Sequence, residues 1–183
     1  MVLVLSATVG GVSSNSYLTL SEAQAIVDSL ILNEEVTTWD DADEDVQNRA
    51  LVSAAWRIDR ERFFGNRASS TQALQWPRVG VRKPDQYQPV YQAGYAFSVR
   101  ADYYADDEIP DEVKKAQTIL ALYLVSEPDA LNLGGLEQFK NVSIGPLSVT
   151  PMQPQNQRLL PPLVEQYLRG LKASTNAISI FRN

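Results

Sequence analysis

Apolar residues recur at helical spacing in four stretches of the chain. Thr19-Leu20-Ser21-Glu22 reads as a capping box, in which hydroxyl and carboxylate each satisfy a backbone N–H of the first turn. Ala23, Ile26, Val27, Leu30 and Ile31 then follow on one helical face. A second helix is expected from about Asp45 to Phe64, with Val46, Ala50, Leu51, Ala54, Ala55, Ile58 and Phe63 inward and Gly65 as its stop. The third starts at Pro110 among acidic residues, turns Val113, Ala116, Leu120 and Leu124 to one side, and ends before Pro128. The fourth covers about Pro162 to Lys172, with Leu163, Tyr167, Leu168 and Leu171 as its stripe. Stripes of this kind are core packing, so the expected fold class is mainly α: a small bundle of about four helices.

The rest divides around that bundle. Asn141 to Thr150 alternates Val142/Ile144 and Leu147/Val149 about Gly145-Pro146, the pattern of a short β-hairpin over 141–150. Residues 79–109 carry Tyr87, Tyr91, Tyr95, Phe97, Tyr103 and Tyr104 among Pro, Gln and Gly without helical period, and read as a long Tyr-rich loop or arm that orders against something. Residues 1–18 form an N-terminal arm, 19–172 the helical domain, and 173–183 an extended C-terminal tail. That tail opens on small polar residues and closes on Ile178, Ile180, Phe181 and Arg182, too short to pack alone.

Composition narrows the chemistry. There is no His and no Cys, which removes disulfides, Cys/His zinc sites, thiolate nucleophiles and the side chain most used for proton transfer near neutral pH. No glycine loop leads into Lys-Ser/Thr, and no Ser sits in a nucleophile elbow. The carboxylates at 40–45 lack the alternation and central glycine of a calcium loop. Catalytic, metal and cofactor-binding residues are therefore all expected to be none, and the chain is expected not to be an enzyme. The longest apolar run, Ile119 to Val125, is far below the roughly 18–20 residues of a membrane span, so no membrane partner is expected. The apolar Met1 to Leu5 lacks a basic flank and fits an edge strand or ordered arm better than a signal peptide.

Charge is uneven. The net value is -6, with 11 basic and 20 acidic residues over 1–135 against 5 and 2 over 136–183. Protein surfaces that hold phosphate carry the opposite bias. Asp59 and Glu61 beside Arg57, Arg60 and Arg62 read as helix-surface ion pairs.

One run is distinctive: Gln72-Ala73-Leu74-Gln75-Trp76-Pro77-Arg78. The residue before a proline is held extended, and Arg78 presents a planar fork suited to carboxylates. The simplest reading has Trp76 closing the helical core and Arg78 pairing with an acidic residue. With Asn15-Ser16-Tyr17, Ala50 to Ala55, Phe64-Gly65, Ile109-Pro110, Val113, Ala116, Gln117 and the Val142–Val149 pattern, this run occurs in an order that resembles the head-to-tail adaptor (connector, or head-completion) proteins of tailed double-stranded DNA bacteriophages. Many relatives there carry the label DnaT-like single-stranded DNA-binding protein.

The resemblance implies a structural virion protein. It would form a ring, commonly of twelve, beneath the portal, extend the DNA channel, and meet a tail, nozzle or stopper protein. DNA would pass through without tight binding. The chain would be made in the host bacterial cytoplasm and end in the virion at the head–tail interface. Trp76, Pro77 and Arg78 would be its structural signature. Tyr87, Tyr91, Tyr95, Phe97, Tyr103 and Tyr104 would face a neighbouring subunit or tail protein, and Ile178, Ile180, Phe181 and Arg182 would grip the portal. The alternative is a single-stranded DNA-binding protein of the DnaT-like type. Such proteins combine cations with aromatic platforms, and the Tyr-rich region offers only Arg78, Arg82, Lys83 and Arg100 over 76–110.

Overall fold

A computed structural model describes residues 3–32, 34–92, 95–128, 142–144, 147–149 and 160–173, with the backbone alone described over 85–101 and 142–149. The fold is mainly helical. Its helices are α1 (Leu20–Val27), α2 (Glu34–Asp40), α3 (Glu44–Ile58), α4 (Asp111–Ser126) and α5 (Pro162–Leu168). Three antiparallel two-stranded pairs accompany them: β1 (Asn66–Arg67) with β2 (Arg78–Val79), β3 (Arg82–Gln92) with β4 (Tyr95–Tyr103), and β5 (Val142–Ile144) with β6 (Leu147–Val149).

The organising element is α4, which packs against α1, α2, α3 and α5. Val113, Ala116, Leu120 and Leu124 are buried as their spacing requires, but so are Gln117, Thr118, Ala121 and Leu122, because neighbours cover more than one face. The capping box at α1 forms in full: the Glu22 N–H donates to Thr19 Oγ1 at 3.2 Å, and the Thr19 N–H donates to Glu22 Oε2 at 2.8 Å. The N-terminal arm is tied down without forming a strand. The Leu3 N–H donates to the Asp45 carboxylate at 2.9 Å, and Asn15 holds Ser6 N–H on its Oδ1 at 2.7 Å while donating to the Val4 carbonyl at 3.0 Å.

Three expectations change. First, α3 stops at Ile58 rather than Phe64: the Asp59 N–H closes on Ala55, and the chain turns so that Phe63 pairs with Lys172. Gly65 lies in the segment that follows, at φ +67°, where an added Cβ would run into the Val79 carbonyl. Second, α5 ends at Leu168, and its last residues instead hold that same segment: Phe64 N–H donates to Leu171 O at 3.0 Å and Ala173 N–H to Arg62 O at 2.8 Å. Third, α2 is a helix the periodicity did not indicate, since its seven residues bury only Val36 and Trp39. Val46 and Leu163, expected inward, are largely exposed.

The Tyr-rich stretch is a long β-ribbon. Tyr87 pairs with Ala101, Pro89 with Val99 and Gln92 with Tyr95, with register shifts between Arg82 and Tyr87 and between Val90 and Tyr91. The short pairing Val142↔Val149 and Ile144↔Leu147 is the expected hairpin, while Gly145-Pro146 and the tail residues Ile178, Ile180, Phe181 and Arg182 lie outside the described residues.

The core is cross-braced by one buried amide. Gln117 Oε1 accepts the Tyr17 N–H at 3.0 Å, and its Nε2 donates to Ser16 Oγ at 2.8 Å and to the Leu51 carbonyl at 2.9 Å, joining the entry to α1, α3 and α4. Leucine at 117 would leave these buried groups unpaired. Because each such group costs about 1–3 kcal/mol, the Gln117→Leu variant is expected to lose on the order of 3 kcal/mol in urea denaturation. A loss under about 0.5 kcal/mol, the scale of a surface substitution, would show the brace to be dispensable.

Candidate functional site

The distinctive run folds into a loop that side chains hold through backbone carbonyls. Trp76 is buried edge-on between Phe63 (5.5 Å between ring centroids) and Tyr104 (6.4 Å). Gln72, also buried, donates to the carbonyls of Leu74 at 2.8 Å and Pro77 at 3.1 Å, and accepts the Ser69 N–H. The peptide bond between Trp76 and Pro77 is cis. Arg78 does not pair with an acidic residue. Its guanidinium donates to the carbonyls of Phe64 (2.8 Å), Gly65 (2.7 Å), Gln75 (3.3 Å) and Phe63 (3.4 Å), and to Gln75 Oε1 (2.9 Å). The planar fork thus serves a bent backbone that presents several acceptors together.

Asp59 faces the same loop from the end of α3. Its carboxylate accepts the Tyr17 hydroxyl and approaches the Gln75 N–H at 3.3–3.4 Å. Burial raises the Asp59 pKa, against the opposing pull of the Tyr17 and Gln75 bonds and of the Arg67 and Arg78 charges. Burial likewise raises that of Tyr17 well above the usual phenol value, and the adjacent Asp59 charge adds to it.

These contacts take Asp59 and Glu61 away from the ion pairs expected with Arg60 and Arg62. Asp59 points into the protein, and Glu61 bonds to Lys172 Nζ at 2.6 Å, where Glu165 also binds at 3.0 Å. Among the described residues neither Arg60 nor Arg62 makes an ion pair. Arg67 turns onto the carbonyls of Gln72, Ala73 and Leu74. A chain that is acidic overall is therefore locally cationic just past α3.

The other predicted positions are dispersed. Tyr104, expected on an arm interface, is buried against Trp76; its hydroxyl donates to Glu112 at 3.3 Å, and its pKa is pushed up to about 12 by burial and then by the Glu112 charge. Tyr103 is exposed, and Tyr87, Tyr91, Tyr95 and Phe97 belong to β3 and β4 by backbone. Of the acidic run at 40–45, Asp45 is committed to Leu3 and Arg49. No cluster of three metal-ligating side chains occurs among the described residues.

Compared with models of known families, the chain matches one described as "Putative DnaT-like ssDNA binding protein" over residues 1–183. It belongs to that family. No curated protein and no solved structure matches. For this family member, the surface that the sequence reading missed is the outer face of α3 and the turn after it, where Trp56 is 62% exposed while Trp39 and Trp76 are fully buried. The signal lay in the spacing: Arg49, Ser53, Trp56 and Arg60 share one face of α3 and its C-terminal turn, opposite Leu51, Ala55 and Ile58.

The inward Asp59 has a pH consequence. A carboxyl with a raised folded-state pKa disfavours folding increasingly as pH rises through the window above the ordinary aspartate value near 3.9. Asp59→Asn is expected to gain stability relative to the native chain as pH rises above that value, read from paired thermal melts. A difference that stays constant or moves the other way contradicts the burial assignment.

Proposed function

We propose that this chain binds single-stranded DNA and has no catalytic role. Family membership over the full chain supports the reading, and the observation that carries it is the cationic stretch after α3 whose neighbouring carboxylates are engaged elsewhere. Local charge governs phosphate contact at short range, because salt screens distant charges within about 8–10 Å at physiological ionic strength. The net charge of -6 then lowers affinity and slows encounter without forbidding a local site. Binding is expected to be weak and strongly salt-dependent rather than tight at physiological salt. With about three phosphate contacts, affinity falls about tenfold between about 50 and 150 mM salt.

A second reading has its own support. The order of the Gln72–Arg78 run, the Ile109-Pro110 helix start and the Val142–Val149 hairpin fits a head-to-tail adaptor, a ring protein of the virion between portal and tail. The β3–β4 ribbon suits such an assembly: its two strands pair with each other, and among the described residues neither packs extensively on a helix. Two strands alone are marginally stable in water, so a neighbouring subunit would supply what the protomer does not. In that reading the acidic surface lets DNA pass, and the tail grips the portal.

Fluorescence anisotropy of a labelled oligonucleotide separates the two. Binding at about 50 mM salt that weakens about tenfold by about 150 mM is the expected result. Absence of binding at the lower salt, together with ring formation on added portal in light scattering, would replace the first reading by the second.

A further inference from the structure

We infer that Trp56 is the stacking platform for one unpaired base, with Arg60 and Arg62 contacting the flanking phosphates. This rests on the single-stranded DNA reading and names its site. A tryptophan left largely in water forgoes the burial that makes the residue useful in a core, whereas an exposed indole can stack on any base. Trp56 stands on the outer face of α3, and the inner face of that helix is already filled by Leu51, Ala54, Ala55 and Ile58 against the core. Phe64, half exposed, adds a second aromatic surface in the segment that follows.

The charges around it are arranged for an anion. Arg57 lies close enough to Arg60 that, after burial, the neighbouring positive charge lowers its pKa, with the Glu61 carboxylate acting the other way. Like charges kept together are stabilised by a phosphate between them. The patch also has a limit: two helical turns back, Arg49 is already paired with Asp45 at 2.7 Å, and the surface turns acidic at Glu44 and Asp45. The footprint therefore runs from Trp56 toward Phe64 and covers one or two nucleotides. A duplex keeps its bases stacked on each other and could use only the arginines, so single strands are preferred.

Intrinsic fluorescence of the full chain tests this directly, because Trp39 and Trp76 are buried and Trp56 alone is accessible among the three. Titration with oligothymidylate at low salt should quench part of the emission, and Trp56→Phe should abolish that change. Trp56→Ala should weaken binding about tenfold. The double variant Arg60→Ala/Arg62→Ala should weaken it and flatten the salt slope by about 1.4, the share of two phosphate contacts on a single strand. All three positions are exposed, so thermal melts should match the native chain. If the oligonucleotide binds by anisotropy while emission and the Trp56→Ala affinity stay unchanged, the site lies elsewhere and only this inference fails. If the native chain does not bind, both fail. Equal affinity for a duplex of the same length would reduce the patch to a phosphate contact and overturn the platform. An emission change that follows protein concentration without DNA would show that the patch receives an acidic protein surface instead.

Discussion

The inward turn of Asp59 is the contact on which the rest depends. Coming directly after the last residue of α3, its carboxylate meets the Tyr17 hydroxyl from the N-terminal arm and the Gln75 N–H from the loop that carries Trp76. Three segments distant in sequence are thereby fixed at one point. Burying a carboxylate is unfavourable, and here two donors and the nearby Arg67 and Arg78 charges offset part of that cost while burial still prevails and raises the pKa. The same turn directs Asp59 inward and leaves Arg60 and Arg62 exposed. One residue thus shapes both the interior and the charge of the adjoining face.

Beyond that point the body is held by polar groups placed inside an apolar packing. Gln117 links α4 to α3 and to the approach of α1, while Arg78 and Gln72 serve backbone carbonyls outside the helices and strands. Apolar contact alone would let α4 slide along its neighbours, and these bonds select one register. Lys172 performs a related task at the other end, joining Glu61 after α3 to Glu165 on α5. Burial works against its charge, but the two carboxylates outweigh that and raise its pKa.

Much of this was legible in the sequence. The α1 capping box, the α4 stripe and the hairpin alternation are local signals, and the structure contains each of them. The end of α3 was not legible, because Phe63 and Phe64 continue an apolar pattern whose partners, Lys172 and Leu171, are far along the chain. The ribbon was hidden by Pro84 and Pro89, which argue against a central strand but are tolerated where a strand has an open edge. At the candidate site, the Arg57–Arg62 run invited pairing with its own carboxylates. Only the three-dimensional position of Tyr17 and Lys172 shows that Asp59 and Glu61 are engaged elsewhere.

The outcome is a protein whose overall charge and local charge beside α3 differ in sign. In the proposed reading, an acidic body limits non-specific attraction, and a small aromatic and cationic face supplies contact where a strand is already single. Ultraviolet cross-linking of the native protein to oligothymidylate, with the adducts mapped by mass spectrometry of tryptic peptides, addresses that division most directly. Adducts in the peptides spanning residues 50–57 and 63–67, which carry Trp56 and Phe64, are the expected result. Adducts confined to the ribbon peptides between residues 83 and 114, with none on Trp56, would contradict it.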